Sequence, residues 1–302
     1  MGFVTSKELL ADADARGYAI GAFNAVNMET AQGIFTAAEE ERSPLIIQIT
    51  QTTLAYTEPD ELVALIKVLA DRATIPVALH LDHGRSFEVV MRFLRLGMSS
   101  VMIDGSLQED GKTPRTYEEN LAVTKQSVAA AHALGVSVEA ELGRLGQIGT
   151  QLADERDEAL TDPDEAAQFV EETGVDLLAI AIGTTHGLYK GTPKIVHKRV
   201  AEIDKKVALP LVMHGGTGVP DEDVRKGIEA GIRKVNIDTE MRVAFYGSVR
   251  DFVLQQEKVY KEADAKGDVR KYDIRSILKP ARQAVVDAVR AKMRLFGCAG
   301  KA

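Results

Sequence analysis

Eight apolar segments punctuate the chain, and each carries a polar or ionisable residue at or near its end. They are AIGAFN (Asn24), PLIIQIT (Thr50), PVALHLDH (Asp82, His83), SSVMID (Asp104), VSVEAEL (Glu141), DLLAIAIGTTH (His186), PLVMHGG (His214) and KVNID (Asn236 to Asp238). Short apolar runs rich in β-branched residues predict buried strands. A short helix is expected over 5–16, capped by Thr5 or Ser6 with Glu8 in its first turn. Further helical stretches are expected at about 28–42, 59–72, 85–97, 115–134, 163–173, 197–206, 221–230 and 240–258. Pro59, Pro163 and Pro220 mark starts, and Gly97, Gly135, Gly174 and Gly231 mark ends.

Strands that alternate with helices imply a parallel sheet with right-handed crossovers. Eight such units predict an α/β fold, a single (β/α)8 TIM barrel over residues 1–302, with a helical tail from about residue 260 packed on it. In such a barrel the C-terminal ends of all strands converge on one face. Three histidines and several carboxylates then share one mouth, the pattern of a metal-assisted active site. Two connections exceed the usual length. Residues 142–162, rich in Gly and charge, suit a lid; residues 259–302 read as a lysine-rich connection followed by the tail.

Composition narrows the classes. A hydrophobic content of 45% supports a sizeable core, and a net charge of −8 argues against non-specific nucleic-acid or anionic-membrane partners. It leaves room for an anionic substrate in a locally basic pocket. The single cysteine, Cys298, permits no intrachain disulfide and reads as a bystander. No apolar run reaches the roughly 20 residues that span a bilayer, and no secretory leader is visible. A cytoplasmic protein is expected.

Side chains alternate across a strand, so His80 and Asp82 are expected to face the barrel axis, with His83 above them at the turn. His80 reads as a hydrogen-bonded interior histidine. Asp82 and His83 lie at the rim, where a plain ion pair is the simplest reading; His186 and His214 at two other strand ends change its weight. Three imidazoles from separate strands make an open zinc site with a free position for a substrate oxygen; scattered core histidines are the alternative. His132 and His197 read as helix residues. Gly215 and Gly216 clear the backbone for a phosphate after strand seven, where these barrels commonly hold one, although a glycine pair can also simply make a tight turn. Lys190 would add charge.

The motifs HLDHG, SVMIDGS, VEAELG, AIGTTHGLYKG, MHGGTG and KVNIDT, in this order over essentially the whole chain, resemble the class II, zinc-dependent fructose-bisphosphate aldolases and the similar tagatose-bisphosphate aldolases. The resemblance implies reversible cleavage of fructose 1,6-bisphosphate to dihydroxyacetone phosphate and glyceraldehyde 3-phosphate, a step of glycolysis and gluconeogenesis. It implies a catalytic Zn2+ on His83, His186 and His214, with Asp82 as the acid/base at the C4 hydroxyl. It matches Asp104 and Glu141 to an alternative or second divalent position, and leaves room for a monovalent cation. Gly187, Lys190, Gly215, Gly216, Thr217, Asn236, Ile237, Asp238 and Thr239 match the dihydroxyacetone-phosphate cradle, with Asn24 nearby. Thr50 stands where the family has a serine on the aldehyde half. A homodimer or homotetramer is implied. The chemistry agrees: cleaving C3–C4 leaves carbanion character beside the C2 carbonyl, which a Lewis acid stabilises. No Schiff-base lysine is needed, and Lys234, at the start of KVNID, is expected on the wrong face.

Finer features separate the sugars. The fructose type carries NIDT, where the tagatose type reads NVAT, followed by an Arg four residues on and a DxR motif; here these are Asp238, Arg242 and Asp273-Ile274-Arg275. Arg242 and Arg275 are expected on the 6-phosphate. One departure stands out: the strand-five loop, Gly146-Gln147-Ile148-Gly149-Thr150-Gln151, has no acid until Asp154 and Glu155 where relatives place a proton-shuttling glutamate. The alternatives are tagatose 1,6-bisphosphate or another ketose phosphate. A zinc barrel hydrolase would not need the glycine cradle. A non-catalytic phosphosugar-binding barrel would not need Asp82 beside a complete histidine set.

Overall fold

The structure is a computed structural model that describes residues 2–143, 160–187, 189, 191, 193–266 and 273–302. Eight parallel strands close into a barrel in sequence order: β1 (Ile20–Asn24), β2 (Leu45–Thr50), β3 (Val77–Gly84), β4 (Ser100–Ile103), β5 (Ser137–Leu142), β6 (Leu177–Ile180), β7 (Leu211–Met213) and β8 (Ile232–Ile237). β8 closes on β1 with Lys234 opposite Ile20 and Asn236 opposite Ala22. Nearly every strand residue is buried, because helices cover the outer face and side chains fill the axis. The expected (β/α)8 barrel is therefore present.

The helices are α1 (Ser6–Arg16), α2 (Met28–Glu41), α3 (Pro59–Ala70), α4 (Phe87–Arg95), α5 (Tyr117–His132), α6 (Pro163–Thr173), α7 (His197–Asp204), α8 (Asp221–Glu229), α9 (Thr239–Lys266) and α10 (Ile274–Phe296). Local chemistry sets their ends. Thr5 with Glu8 and Thr116 with Glu119 form capping boxes, and Gly17 and Gly174 close α1 and α6 in the left-handed conformation. α9 runs on through 259–266, part of the stretch read as a connection, because Lys, Glu and Ala there are good helix formers. α10 is the expected tail: Val285, Val286, Val289, Met293 and Phe296 are buried as it packs on α2. Gly33 permits this close crossing, since a Cβ there would lie 3.0 Å from Val285 Cγ1.

The barrel axis is polar for much of its height. Gln48 donates to Asn24 Oδ1 at 2.7 Å, His80 Nδ1 lies 2.8 Å from Ser100 Oγ, and Lys234 Nζ donates to Glu139 at 2.7 Å. All of these side chains are buried. This column forms the floor of the mouth. A third long connection, residues 104–116, was not anticipated: it folds back as a hairpin with a bridge between Leu107 and Pro114.

Candidate active site

Asp82 stands at the centre of the mouth. Asn24 donates to its Oδ2 at 2.8 Å and Asn236 to its Oδ1 at 3.1 Å, so strands β1, β3 and β8 converge on one carboxylate. Burial pushes its pKa up, but His83, His214 and Lys234 outweigh burial and hold the carboxyl below its ordinary value. It therefore favours the anionic form.

His83 follows in the left-handed region, at φ +52. The β3–β4 register shifts between Leu81 and Gly84, a bulge that aims Asp82 and His83 into the same space instead of to opposite faces. A non-glycine residue held there costs of order 1–3 kcal/mol, a strain that concentrates at functional sites. Gly84 is required next, because a Cβ would lie 2.9 Å from Met102 O.

The three histidines gather as expected. Ring centroids lie 4.9 Å apart for His83 and His186, 4.7 Å for His83 and His214, and 5.9 Å for His186 and His214. Their ligand nitrogens all fall within 4.8 Å of one another. His186 lies six residues past the end of β6, on a turn whose Gly183 has φ +96 and whose Gly187 has φ +88; His214 directly follows β7.

Partners fix the tautomers. His83 Nδ1 lies 3.0 Å from Asp104 Oδ2, and His214 Nε2 lies 2.8 Å from Glu139 Oε1. With those nitrogens donating, His83 Nε2 and His214 Nδ1 turn lone pairs toward each other at 2.9 Å. That approach calls for a cation between them, a metal ion or a proton. Burial pushes His83 down, but Asp82, Asp104 and Glu141 lift it to about 10, so in the absence of metal the proton takes that place. Burial and the charge on His83 push His186 down to about 4, and burial holds His214 well below its ordinary value. Neutral imidazoles are the form that ligates. The residues therefore fit a divalent cation.

A second group, His83, Asp104 and Glu141, also has ligand atoms within 4.8 Å. Ser106 donates to Asp104 Oδ1 at 2.7 Å. Burial and the charge of Asp104 push Glu141 well above the carboxylate range, and its buried Oε2 has no hydrogen-bond partner, with His83 Nδ1 3.9 Å away.

The far side of the mouth is glycine backbone. Gly215 has φ +67, and a Cβ there would strike Thr185 O at 2.3 Å. Gly216 donates its N–H to Asn236 O at 3.3 Å. Tyr189 Oη donates to Gly215 O at 2.8 Å and accepts from Thr185 N at 3.0 Å, tying the two loops together. Thr217 Oγ1 accepts from Glu240 N at 3.3 Å, and Ile237 is buried beneath. Asp238 ion-pairs with Arg242 at 2.9 Å, and Arg242 also reaches Thr239 Oγ1 at 3.3 Å. Burial pushes Asp238 up to about 6 despite Arg242.

The remaining expected residues divide. Thr50 pairs in register with Asp82 at the rim. Lys190, Asp154 and Glu155 lie outside the described residues. No contact joins Arg275 to the other site residues among the described residues: it sits at the head of α10, 87% exposed, with its guanidinium on Asp273 at 2.9 Å. Lys234 needs correction. Its backbone is low on β8, but its side chain enters the axis and rises to Asn236 Oδ1 at 2.8 Å, beneath the site and not on a separate face. Glu139 was missed, although its two-residue offset from Glu141 puts both on one face. Tyr189 and Arg85 were missed without any pattern to signal them.

This closed barrel gathers a buried carboxylate and three histidines that could hold a metal ion at the C-terminal ends of its strands, an arrangement found in (β/α)8-barrel enzymes. The sequence profile of the class II fructose-bisphosphate aldolases matches residues 4–301, and the chain belongs to that family, a family of lyases. It is 44% identical to a fructose-bisphosphate aldolase of Thermus caldophilus, with 99% of each chain covered. It is 39% identical to a sulfofructosephosphate aldolase of Alkalicoccus urumqiensis, covering 100% of this chain and 99% of the other. Among solved structures, the YdjI aldolase of Escherichia coli K12 superposes with a TM-score of 0.83 at 35% identity, with 100% of both chains covered. No helix among the described residues is long and apolar enough to cross a membrane.

Proposed function

We propose that this protein catalyses reversible, metal-dependent aldol cleavage of fructose 1,6-bisphosphate to dihydroxyacetone phosphate and glyceraldehyde 3-phosphate. The observation that carries the reading is Asp82, buried and anionic between Asn24 and Asn236 and beside three converging histidines. His83, His186 and His214 would hold the catalytic Zn2+, with Asp104 and Glu141 offering a second divalent position. The metal, when bound, supplies Lewis-acid polarisation of the ketose carbonyl.

The chain's own residues do the rest. Asp82 takes the C4 hydroxyl proton as the C3–C4 bond breaks; C4 becomes the aldehyde carbonyl and the bonding electron pair passes to C3. Asn24 and Asn236 fix the orientation of the carboxylate, so its free lone pairs point one way. C3 must then gain a proton, the step expected of Asp154 or Glu155. The backbone at Gly215 and Gly216 and the head of α9 would seat the phosphate of the dihydroxyacetone half. Asp238 favours the fructose configuration. A soluble homodimer or homotetramer in the cytoplasm is the expected working form.

The test is release of dihydroxyacetone phosphate from fructose 1,6-bisphosphate before and after chelation. Activity lost with EDTA and restored by zinc or cobalt supports the reading; undiminished turnover by verified metal-free protein ends it. A second reading, another ketose phosphate with an anionic far end, is favoured by the similarity to a sulfofructosephosphate aldolase.

A further inference from the structure

The guanidinium of Arg85 lies at the mouth with no acidic partner among the described residues. Arg85 follows Gly84 at the end of β3, and its main chain is tied on both sides: its N–H donates to Gln51 Oε1 at 2.8 Å, and its carbonyl accepts from Arg115 Nη2 at 3.0 Å. The half-buried side chain lies against the hairpin 104–116, where Gly111, at φ +66, leaves room for it. A Cβ on Gly111 would stand 2.6 Å from Arg85 Cζ. Among the described residues no carboxylate lies within 4.0 Å of the guanidinium, and its Nε is buried without a hydrogen-bond partner. Its positive charge nevertheless reaches the site, lowering the proton affinity of both Asp104 and His186.

Among the described residues, four other cations on the site elements or expected at the site are engaged. Arg242 is paired with Asp238, Lys234 with Glu139, and Arg115 with backbone carbonyls, while Arg275 is held by Asp273. A half-buried guanidinium with a buried, unbonded Nε and no carboxylate among the described residues gains by meeting an anion. In the closed order β1 to β8, β3 lies across the barrel from β7, and β4 across from β8. A substrate whose phosphate rests on the loops after β7 and β8, and which crosses the histidine centre, directs its far end at Arg85 and the hairpin.

We propose that Arg85 binds the anionic terminus of the aldehyde half of the substrate and so selects ketose phosphates that carry a second tetrahedral oxyanion, phosphate or sulfonate, at C6. This rests on the aldolase reading above. A planar fork with free N–H groups suits such an oxyanion in a two-bond contact.

The test compares kcat/KM for fructose 1,6-bisphosphate, 6-deoxy-6-sulfofructose 1-phosphate and fructose 1-phosphate in the wild type and in Arg85→Ala, Arg85→Gln and Arg85→Lys. Exchange of the C3 proton of dihydroxyacetone phosphate is measured alongside. The ratio of the doubly anionic substrates to fructose 1-phosphate should fall roughly 10–150-fold in the alanine and glutamine variants, and less in the lysine variant. A larger loss on the phosphate arm or on the sulfonate arm supports the proposal and names the terminus. An unchanged ratio, or an equal loss on all three substrates, overturns it; so does a collapse in Arg275→Ala without one in Arg85→Ala. The glutamine and lysine variants keep the test open if the alanine variant does not fold, because the main-chain anchors do not need the guanidinium. A wild type that neither cleaves nor exchanges refutes the aldolase reading itself. A wild type that does both, with variants of unchanged ratio, refutes the role of Arg85 alone.

Discussion

Glu139 braces His214: its Oε1 lies 2.8 Å from His214 Nε2, while Lys234 Nζ holds its Oε2 at 2.7 Å. The carboxylate fixes which imidazole nitrogen is left to face the other histidines. Partners of this kind commonly contribute 10–100-fold to metal affinity. Glu139→Gln is therefore expected to weaken zinc binding by about that range, read by competition with a chromophoric chelator. Unaltered affinity would reduce Glu139 to a packing residue.

Asp82 carries the proton in the proposed reaction. Asp82→Ala should cut kcat by roughly 10²–10⁴, the usual worth of a positioned acid or base, while the protein still binds one equivalent of zinc. Metal content and turnover are measured on the same preparation. Loss of the metal together with turnover would mean that the carboxylate organises the histidines instead.

Asp238 offers a handle on sugar choice. Its carboxyl is pushed up to about 6 by burial, so it is charged at neutral pH and largely protonated below that value. Fructose and tagatose bisphosphates differ in configuration at C4, so the same metal and the same phosphate cradle serve both. Asp238→Ala is expected to narrow the gap between their specificity constants at pH 7.5. In the wild type the gap should narrow as pH falls through about 6 and widen above it. A pH-independent ratio, or tagatose bisphosphate as the better wild-type substrate, would remove the assignment to the fructose type.

Asp176 makes a pH-dependent contribution at the opposite end of the barrel. Burial pushes its pKa up, but bonds from Lys7 Nζ, Val138 N and His132 Nε2, each 2.8 Å, outweigh burial and leave the pKa lowered. A depressed carboxylate pKa stabilises the fold above the unfolded value of about 3.9, and that stability disappears as pH falls through the folded value. Asp176→Asn should cost about 1.5–3 kcal/mol at pH 7, with the difference from wild type shrinking below pH 4. Denaturant titrations at pH 7 and pH 3.5 provide the comparison.

The sequence carried the barrel because strand and helix periods differ and because Pro and Gly stand at the joints, as at Pro59 and Gly174. It carried the histidines because strand ends in such a barrel share one face. The bulge at His83 was not legible: the residue order is the same with or without a register shift, and alternation would send Asp82 and His83 to opposite faces. Lys234 was misplaced because a lysine low on a strand can extend its amine by several ångströms along the axis. Arg85 gave no signal because what distinguishes it is the lack of a carboxylate neighbour among the described residues and its place against the hairpin 104–116, neither of which a local pattern carries. Arg275 follows a stretch of chain whose path no periodic pattern fixes.

One hydroxyl group links the two loops to which the proposed function assigns separate binding events. Tyr189 Oη bonds to the backbone of both the loop bearing His186 and the loop bearing Gly215. In the proposed function, an anion that settles against Gly215 acts on the same joint that orients His186, one of the imidazoles proposed to hold the metal. Linkage makes such coupling mutual: if phosphate raises metal affinity by some factor, the metal raises phosphate affinity by that same factor. Scarcity of the metal would then be felt first as poor retention of the sugar phosphate, before any change in the chemical step.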